Sequence, residues 1–211
     1  VNIGGVVVSN ATLHNEDEIK RKDIRIGDIV TVERAGDVIP HVISVDFKKR
    51  KTNSVKFNFP KTCPSCGSNT IKDFNEITKK NDAVRRCANE DYECEKIVIE
   101  KLKHFVSKEA FNIDGFGKKI VENLWILNLI KLPQDIFKLD YKKIKTLDGW
   151  GELSISNLKY SIEEKKKISF ERFIYSLGIR HIGQENAKLL ARHLKSPENF
   201  FKLSSDKNIN D

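Results

Sequence analysis

The spacing of apolar and polar positions changes character twice along the chain. Through residues 1–60 the apolar positions come in short runs and alternations. Gly5-Val6-Val7-Val8 is one run, Asp28-Ile29-Val30-Thr31-Val32-Glu33 alternates, and Val38 to Val45 alternates again after a break at Ala35-Gly36. A period of two predicts half-buried strands. Pro40 falls inside the last one and has no N–H to give, so that strand is expected at a sheet edge or with a bulge. Asn15 followed by Glu16, Asp17 and Glu18 predicts a short helix between the first two strands. Asn is a good N-cap, acids suit a helix start, and Glu18 holds the capping-box position. Arg25-Ile26-Gly27-Asp28 then turns the chain into the next strand. Several short strands in so few residues point to a small Greek-key β-barrel, although an open sheet would show the same pattern.

Residues 61–97 break this pattern. They hold two cysteine pairs, Gly- and Pro-marked turns and few large apolar side chains, so something other than apolar burial must hold them together. Residues 98–205 read as helical. Phe170, Phe173, Ile174 and Leu177 follow an i, i+3, i+4, i+7 stripe, as do Ala187, Leu190, Ala191 and Leu194, and both stripes are expected in a core. The expected organisation is therefore a multidomain α+β chain: a β-barrel over 1–60, a cysteine segment over 61–97 and an all-α segment over 98–211.

Composition narrows the function. Hydrophobic residues make up 39% of the 211 and charged residues 32%, which excludes wholesale disorder. No apolar run approaches the roughly 20 residues a membrane helix needs, and the start lacks the basic flank and apolar stretch of a secretory signal. The chain neither begins with Met nor contains one, and reads as a piece of something longer. The formal charge is +8, and residues 101–211 carry 21 basic against 14 acidic side chains, so the excess sits in the helical part. A concentrated basic excess attracts polyanions, nucleic acid first, although charge alone fits a lysine-rich solvated surface equally well.

Cys63-Pro64-Ser65-Cys66-Gly67 is a metal knuckle. Two thiolates two residues apart can grip one tetrahedral ion, and Gly67 permits the tight turn. Cys87 and Cys94 supply the second pair at a wider spacing. Four thiolates on Zn²⁺ is the reading adopted, with no open coordination position and hence a structural role. A disulfide has no secretory context behind it. A redox pair leaves Cys87 and Cys94 unexplained, with no βαβ pattern nearby. His104 lies ten residues beyond Cys94 in a helical run and reads as a histidine on a basic face or a core edge rather than a ligand.

The helical part repeats at about 33 residues. Ile113-Asp114-Gly115-Phe116-Gly117-Lys118-Lys119 recurs as Leu147-Asp148-Gly149-Trp150-Gly151-Glu152-Leu153, and again as Ile179-Arg180-His181-Ile182-Gly183-Gln184-Glu185. Each copy follows one helix and opens another. The glycines allow a sharp turn and a close approach, the apolar residue between them plugs the hairpin into its core, and the next helix offers unpaired N–H groups at its positive end. Such a corner suits a DNA phosphate and carries no sequence information. The candidate DNA-contacting residues here are Gly115, Gly117, Lys118, Lys119, Gly149, Gly151, Arg180 and Gly183. The third copy departs, with His181 at the first glycine position, where Gly178 could supply flexibility and Arg180 charge. Such hairpins pack in pairs, so a fourth is expected to begin near Leu203.

In this order the elements resemble the C-terminal part of bacterial NAD-dependent DNA ligases, over essentially the whole chain. Ser9-Asn10-Ala11-Thr12-Leu13-His14-Asn15 and Arg34-Ala35-Gly36-Asp37-Val38-Ile39-Pro40 are similar to stretches of that family's OB-fold domain. The four cysteines resemble its zinc finger. Leu102-Lys103-His104-Phe105-Val106-Ser107 and Phe173-Ile174-Tyr175-Ser176-Leu177-Gly178-Ile179-Arg180 resemble its helix-hairpin-helix domain. The Cys66–Cys87 interval is longer than the family's usual one.

The resemblance implies an enzyme that seals nicks in double-stranded DNA in replication and repair. A lysine takes AMP from NAD⁺ and passes it to the 5′-phosphate, and the 3′-hydroxyl then displaces AMP with Mg²⁺ assistance. That lysine belongs to a K-x-D-G motif. Lys145-Thr146-Leu147-Asp148-Gly149 has one residue too many, so no catalytic residue is assigned and this chain alone is expected to be inactive. The NAD-binding and adenylation domains are expected before Val1 and a BRCT domain after Asp211. The barrel would lie on the minor groove and distort the duplex, with Arg34, Val38 and Ile39 as its contacts. Lys48-Lys49-Arg50-Lys51 reads equally as a phosphate contact or a solvated tip, and the zinc finger would join barrel to helices. The expected setting is a monomer in the bacterial cytoplasm, at the nucleoid and off the membrane. Two alternatives stand: a helix-hairpin-helix repair or recombination module without ligase activity, and a structural RNA-associated zinc protein.

Overall fold

Asn15 caps the first helix as its position predicts. In the computed structural model, which describes residues 1–3, 5–34, 39–76, 78–89 and 92–205, its side-chain oxygen accepts the Glu18 N–H at 2.9 Å, and α1 runs Glu16–Arg21. The reciprocal half of a capping box is not made, because the Glu18 carboxylate turns to Arg21 and Lys22 instead. Strands β1 (Asn2–Ile3) and β2 (Val6–Val7) pair antiparallel, and β3 (Val30–Glu33) pairs antiparallel with β4 (His41–Val45). Pro40 sits just ahead of β4 rather than in it, where its carbonyl accepts the Thr12 N–H at 2.7 Å. The anticipated irregularity lies further along the same strand. Register shifts between Thr31 and Val32, so Ile43 has no residue opposite it. Bridges from Thr12 to His41 and from Arg25 to Lys56 tie the flanking chain to this hairpin.

Apolar burial is thin in this part. Among the described residues of 1–60 only Val42 and Val45 are buried hydrophobic side chains. Ion pairs take over much of the organising role. Arg50 grips both Asp28 oxygens, at 2.9 and 2.8 Å, and donates to Asp23 at 2.5 Å, while Arg25 donates to Asp23 from the other side. Of the basic run 48–51, Arg50 is thus a half-buried clamp rather than a phosphate contact or a solvated tip.

Hydrogen bonds from Arg25 and then Arg50 hold the Asp23 carboxyl down at about 2, and the Arg50 bonds lower that of Asp28 as well. Both carboxyls are depressed in the folded state, so their contribution is present above the unfolded carboxylate range and is lost as pH falls through the folded values. Residues 1–60 are therefore expected to lose thermal stability as pH drops from about 5 towards 2. Arg50→Gln should lower the melting temperature at neutral pH and flatten that acid dependence. A melting series across this range checks both; an unchanged slope in the variant would contradict the clamp.

No described residue between 61 and 89 is buried. Two short antiparallel pairs shape the segment: β5 (Thr70–Ile71) with β8 (Arg86–Cys87), and β6 (Phe74–Asn75) with β7 (Lys80–Asn81). Contacts group the chain into two units, 1–91 and 92–211.

The second unit is helical: α2 (Glu95–Val106), α3 (Lys118–Ile126), α4 (Tyr141–Lys145), α5 (Glu152–Glu164), α6 (Phe170–Ser176), α7 (Gln184–Leu194) and α8 (Pro197–Ser205), with a 3₁₀ segment over Pro133–Lys138. Its core gathers Leu102, Val121, Leu124, Ile130, Ile136, Ile144, Leu158 and Ile162, all at most 2% exposed. Both stripes named above anchor in the interior, through Ile174 and Ala187. Leu177 leaves its stripe because α6 ends at Ser176, and it is 38% exposed. His104 acts as a structural tie, its Nε2 lying 2.8 Å from the Tyr175 carbonyl and so joining α2 to α6. No described helix is long and apolar enough to cross a membrane.

Candidate metal centre and nucleic-acid interface

Three local structures bring the cysteines together. Cys63 and Cys66 flank the knuckle turn, which closes through the Gly67 N–H to the Cys63 carbonyl at 2.9 Å with Gly67 at φ 75°. Only glycine takes that backbone conformation without cost. Cys87 ends β8, and Cys94 is the N-cap of α2. The four sulfurs lie within 4.8 Å of one another, and all four cysteines are unbridged. Cys66 and Cys87 sulfurs are 3.5 Å apart, well beyond a disulfide bond and close to the edge of a tetrahedron with metal–sulfur bonds of about 2.3 Å.

The donor chemistry also fits a dication. Hydrogen bonds from Ser68 pull the Cys66 thiol down to about 6, so the loop already accommodates one thiolate. At Cys87 the Asn89 N–H acts in the same direction, but burial and the neighbouring sulfurs override it and push the thiol up to about 12. A second negative sulfur needs a cation beside it. Zn²⁺ bound by Cys63, Cys66, Cys87 and Cys94 would supply that charge and cross-link a segment in which no described residue between 61 and 89 is buried.

The three hairpins share one hydrogen-bond pattern. Phe116, Trp150 and Ile182 donate their N–H to the carbonyls of Ile113, Leu147 and Ile179, at 3.3, 3.2 and 3.1 Å. The residue before each donor is left-handed: Gly115 at φ 81°, Gly149 at φ 83° and His181 at φ 65°. This is the form of a type II turn, which wants glycine at its third position. His181 adopts the glycine's conformation in the third copy, so the departure in sequence leaves the turn intact.

Gly117, Gly151 and Gly183 are then the N-caps of α3, α5 and α7, and none provides a side-chain cap. The first two N–H groups of each helix have no acceptor within the helix. All six turn positions are exposed, and the plug residues Phe116, Trp150 and Ile182 are buried or half-buried beneath them.

Electrostatics separates the three copies. Lys118 and Lys119 open α3 with no acid in its first turn. α5 opens instead on Glu152, paired with Lys145 at 2.7 Å, and α7 carries Glu185, paired with Lys188 at 2.7 Å. Of the three helix starts, α3 alone has no acid in its first turn. Arg180 is exposed at the corner of the third turn. Two supports of the first hairpin were not visible in the local sequence pattern. Ser161 of α5 accepts the Asp114 N–H at 2.7 Å, and Arg172 of α6 donates to the Ala110 carbonyl at 2.8 Å. Each partner is more than 45 residues away in sequence.

At the barrel, Arg34 is half-buried just after β3, and Ile39 is 68% exposed two residues before β4. Val38 lies outside the described residues. The expected fourth hairpin is met only as far as α8, which contains Leu203; residues 206–211 are likewise outside the described ones.

Comparison with known proteins agrees with this geometry. Residues 1–54 match the NAD-dependent DNA ligase OB-fold domain, and residues 172–207 match a helix-hairpin-helix motif. A DNA ligase of Pelagibacter ubique is 78% identical over 209 residues, covering 99% of this chain and 31% of that protein. DNA ligases of Xanthobacter autotrophicus and Rickettsia canadensis are 48% and 49% identical, over 94% and 95% of the chain. The chain spans about 30% of the length of these relatives. The chain thus carries the OB-fold domain of NAD-dependent DNA ligases, a four-cysteine cluster and a helix-hairpin-helix motif, and over nearly its whole length it is similar to part of these DNA ligases.

Proposed function

We propose that this chain is the DNA-gripping portion of an NAD-dependent ligase that seals nicks in duplex DNA. The observation that carries this reading is the threefold repeat of one corner: a closed turn, an exposed glycine and an uncapped helix start. Backbone N–H groups at Gly117, Gly151 and Gly183, aided by Lys118, Lys119 and Arg180, would hold about two phosphates at each corner. The first hairpin would contribute most, since its helix opens on two lysines. Such contacts fix position along the duplex without reading bases. Exposed Ile39 suits an apolar wedge in the minor groove, and Arg34 and Val38 are proposed as contacts with it. Zn²⁺ on the four cysteines would have a purely structural part. Adenylation from NAD⁺ and the Mg²⁺-assisted sealing step would belong to another region of the polypeptide, for this chain has no K-x-D-G lysine. We place the protein in the bacterial cytoplasm at the nucleoid, one copy acting on one nick.

The test compares binding to nicked duplex DNA, intact duplex DNA, single-stranded DNA and duplex RNA. The nicked duplex should bind tightest and duplex RNA weakest, because A-form geometry moves the phosphates out of step with the hairpins. No sealing is expected from the chain alone with NAD⁺ and Mg²⁺. Equal affinity for nicked and intact DNA would favour a repair module without ligase activity; preference for RNA would overturn both.

A further inference from the structure

The cysteine segment is latched to the barrel helix through ion pairs from Lys72 and Arg85 to Glu16 and Asp17. β5 and β8 pair with Thr70 opposite Cys87 and Ile71 opposite Arg86. Lys72 directly follows β5 and Arg85 directly precedes β8. Both reach α1. Arg85 Nε donates to Glu16 at 2.8 Å, and its other arm donates to the Thr70 carbonyl at 3.1 Å. Lys72 Nζ lies 2.7 Å from Asp17 and 3.9 Å from Glu16. Glu16 is a buried carboxylate, its side chain 6% exposed, and Lys20 of its own helix is a further cation on it, at 2.6 Å.

We infer that Glu16 and Asp17 form the receptor by which the barrel senses an ordered cysteine segment, so that metal affinity and barrel stability are coupled through Glu16 and Arg85. With no buried side chain among the described residues of 61–89 to order it, the segment depends on the metal to hold β5 against β8, and that pairing places Lys72 and Arg85 together at α1. Part of the free energy of the latch is then realised when metal binds, as linkage requires. Conversely, the barrel is steadied by a metal it does not itself ligate. This rests on the reading of the cysteine cluster as a Zn²⁺ site.

Zn²⁺ affinity, by competition with a chromophoric chelator, and melting temperatures with and without Zn²⁺ would be measured on the whole chain. The variants are Glu16→Gln, Arg85→Gln, their combination, and Glu18→Gln, whose carboxylate pairs with Arg21 and Lys22 on its own helix turn. Glu16→Gln and Arg85→Gln should each weaken Zn²⁺ binding about tenfold, the double variant little further, and Glu18→Gln should leave it unchanged. Without metal, Arg85→Gln should melt with the wild type; with metal it should melt lower. Should Glu16→Gln fold poorly, Arg85→Gln carries the test, since it leaves α1 intact. Wild-type affinity in Arg85→Gln, or an equal loss of stability with and without metal, would overturn the coupling. Failure of the wild type to bind Zn²⁺ would instead overturn the metal reading beneath it.

Discussion

Removing the metal with a strong chelator is expected to unfold residues 61–97 and leave most of the helical signal standing. The segment has no buried residue between 61 and 89 among those described, so little else can oppose its chain entropy. Structural zinc contributes on the order of 10 kcal/mol or more to such folds. The helical core from Leu102 to Ile162 is built without it. Limited proteolysis should therefore cut first within 61–97 after chelation, while the far-ultraviolet signal falls only modestly. Cys94→Ser sharpens the experiment. Serine is a good N-cap, so α2 keeps its start while the metal loses a thiolate ligand. Native mass spectrometry should find one zinc in the wild type and none retained in the variant. Protection of 61–97 that persists without metal would refute the cross-link.

The second large effect concerns the hairpins, and the backbone angles dictate which glycine to change. Gly115 and Gly149 are left-handed, so a β-branched residue there would strain the turn and confuse lost folding with lost binding. Gly117 and Gly151 have negative φ, and a Cβ at either meets nothing within 4 Å. Gly117→Val with Gly151→Val should keep the fold, at about 1 kcal/mol of capping preference each. The added side chains would stand where a phosphate must approach. Each lost charge-assisted hydrogen bond costs about 1.5–3 kcal/mol, so duplex affinity should fall at least tenfold and by more than a hundredfold if both corners bind. A correctly folded double variant with wild-type affinity would remove the hairpins from the interface.

How far these features could be read from the sequence depended on whether their cause was local. Asn15 as a cap, the cysteine knuckle and the glycine corners are set by residues adjacent in the chain, and each sits where its pattern placed it. Even His181 kept the turn, because a left-handed residue is disfavoured but not forbidden outside glycine. What escaped was long-range and polar. Nothing near Arg50 announces that it clamps Asp23 and Asp28 more than 20 residues away, and its lysine neighbours made it look like surface charge. Glu16 reads as an ordinary first-turn acid until Arg85 is seen to fold onto it. The thin apolar core of the barrel could not be anticipated from alternation, which marks a face but does not say how deeply it is covered.

The most direct measurement is the affinity of the chain for nicked duplex DNA across a salt series, with and without Lys118→Gln and Lys119→Gln. Three corners with roughly two phosphates each imply that log affinity falls with log salt at a slope near −5, a loss of about a thousandfold between 50 and 200 mM. Removing the two lysines should make that slope shallower by about 2. Affinity that barely changes with salt, or a slope indifferent to the lysines, would mean that the exposed glycine corners do not hold the DNA backbone.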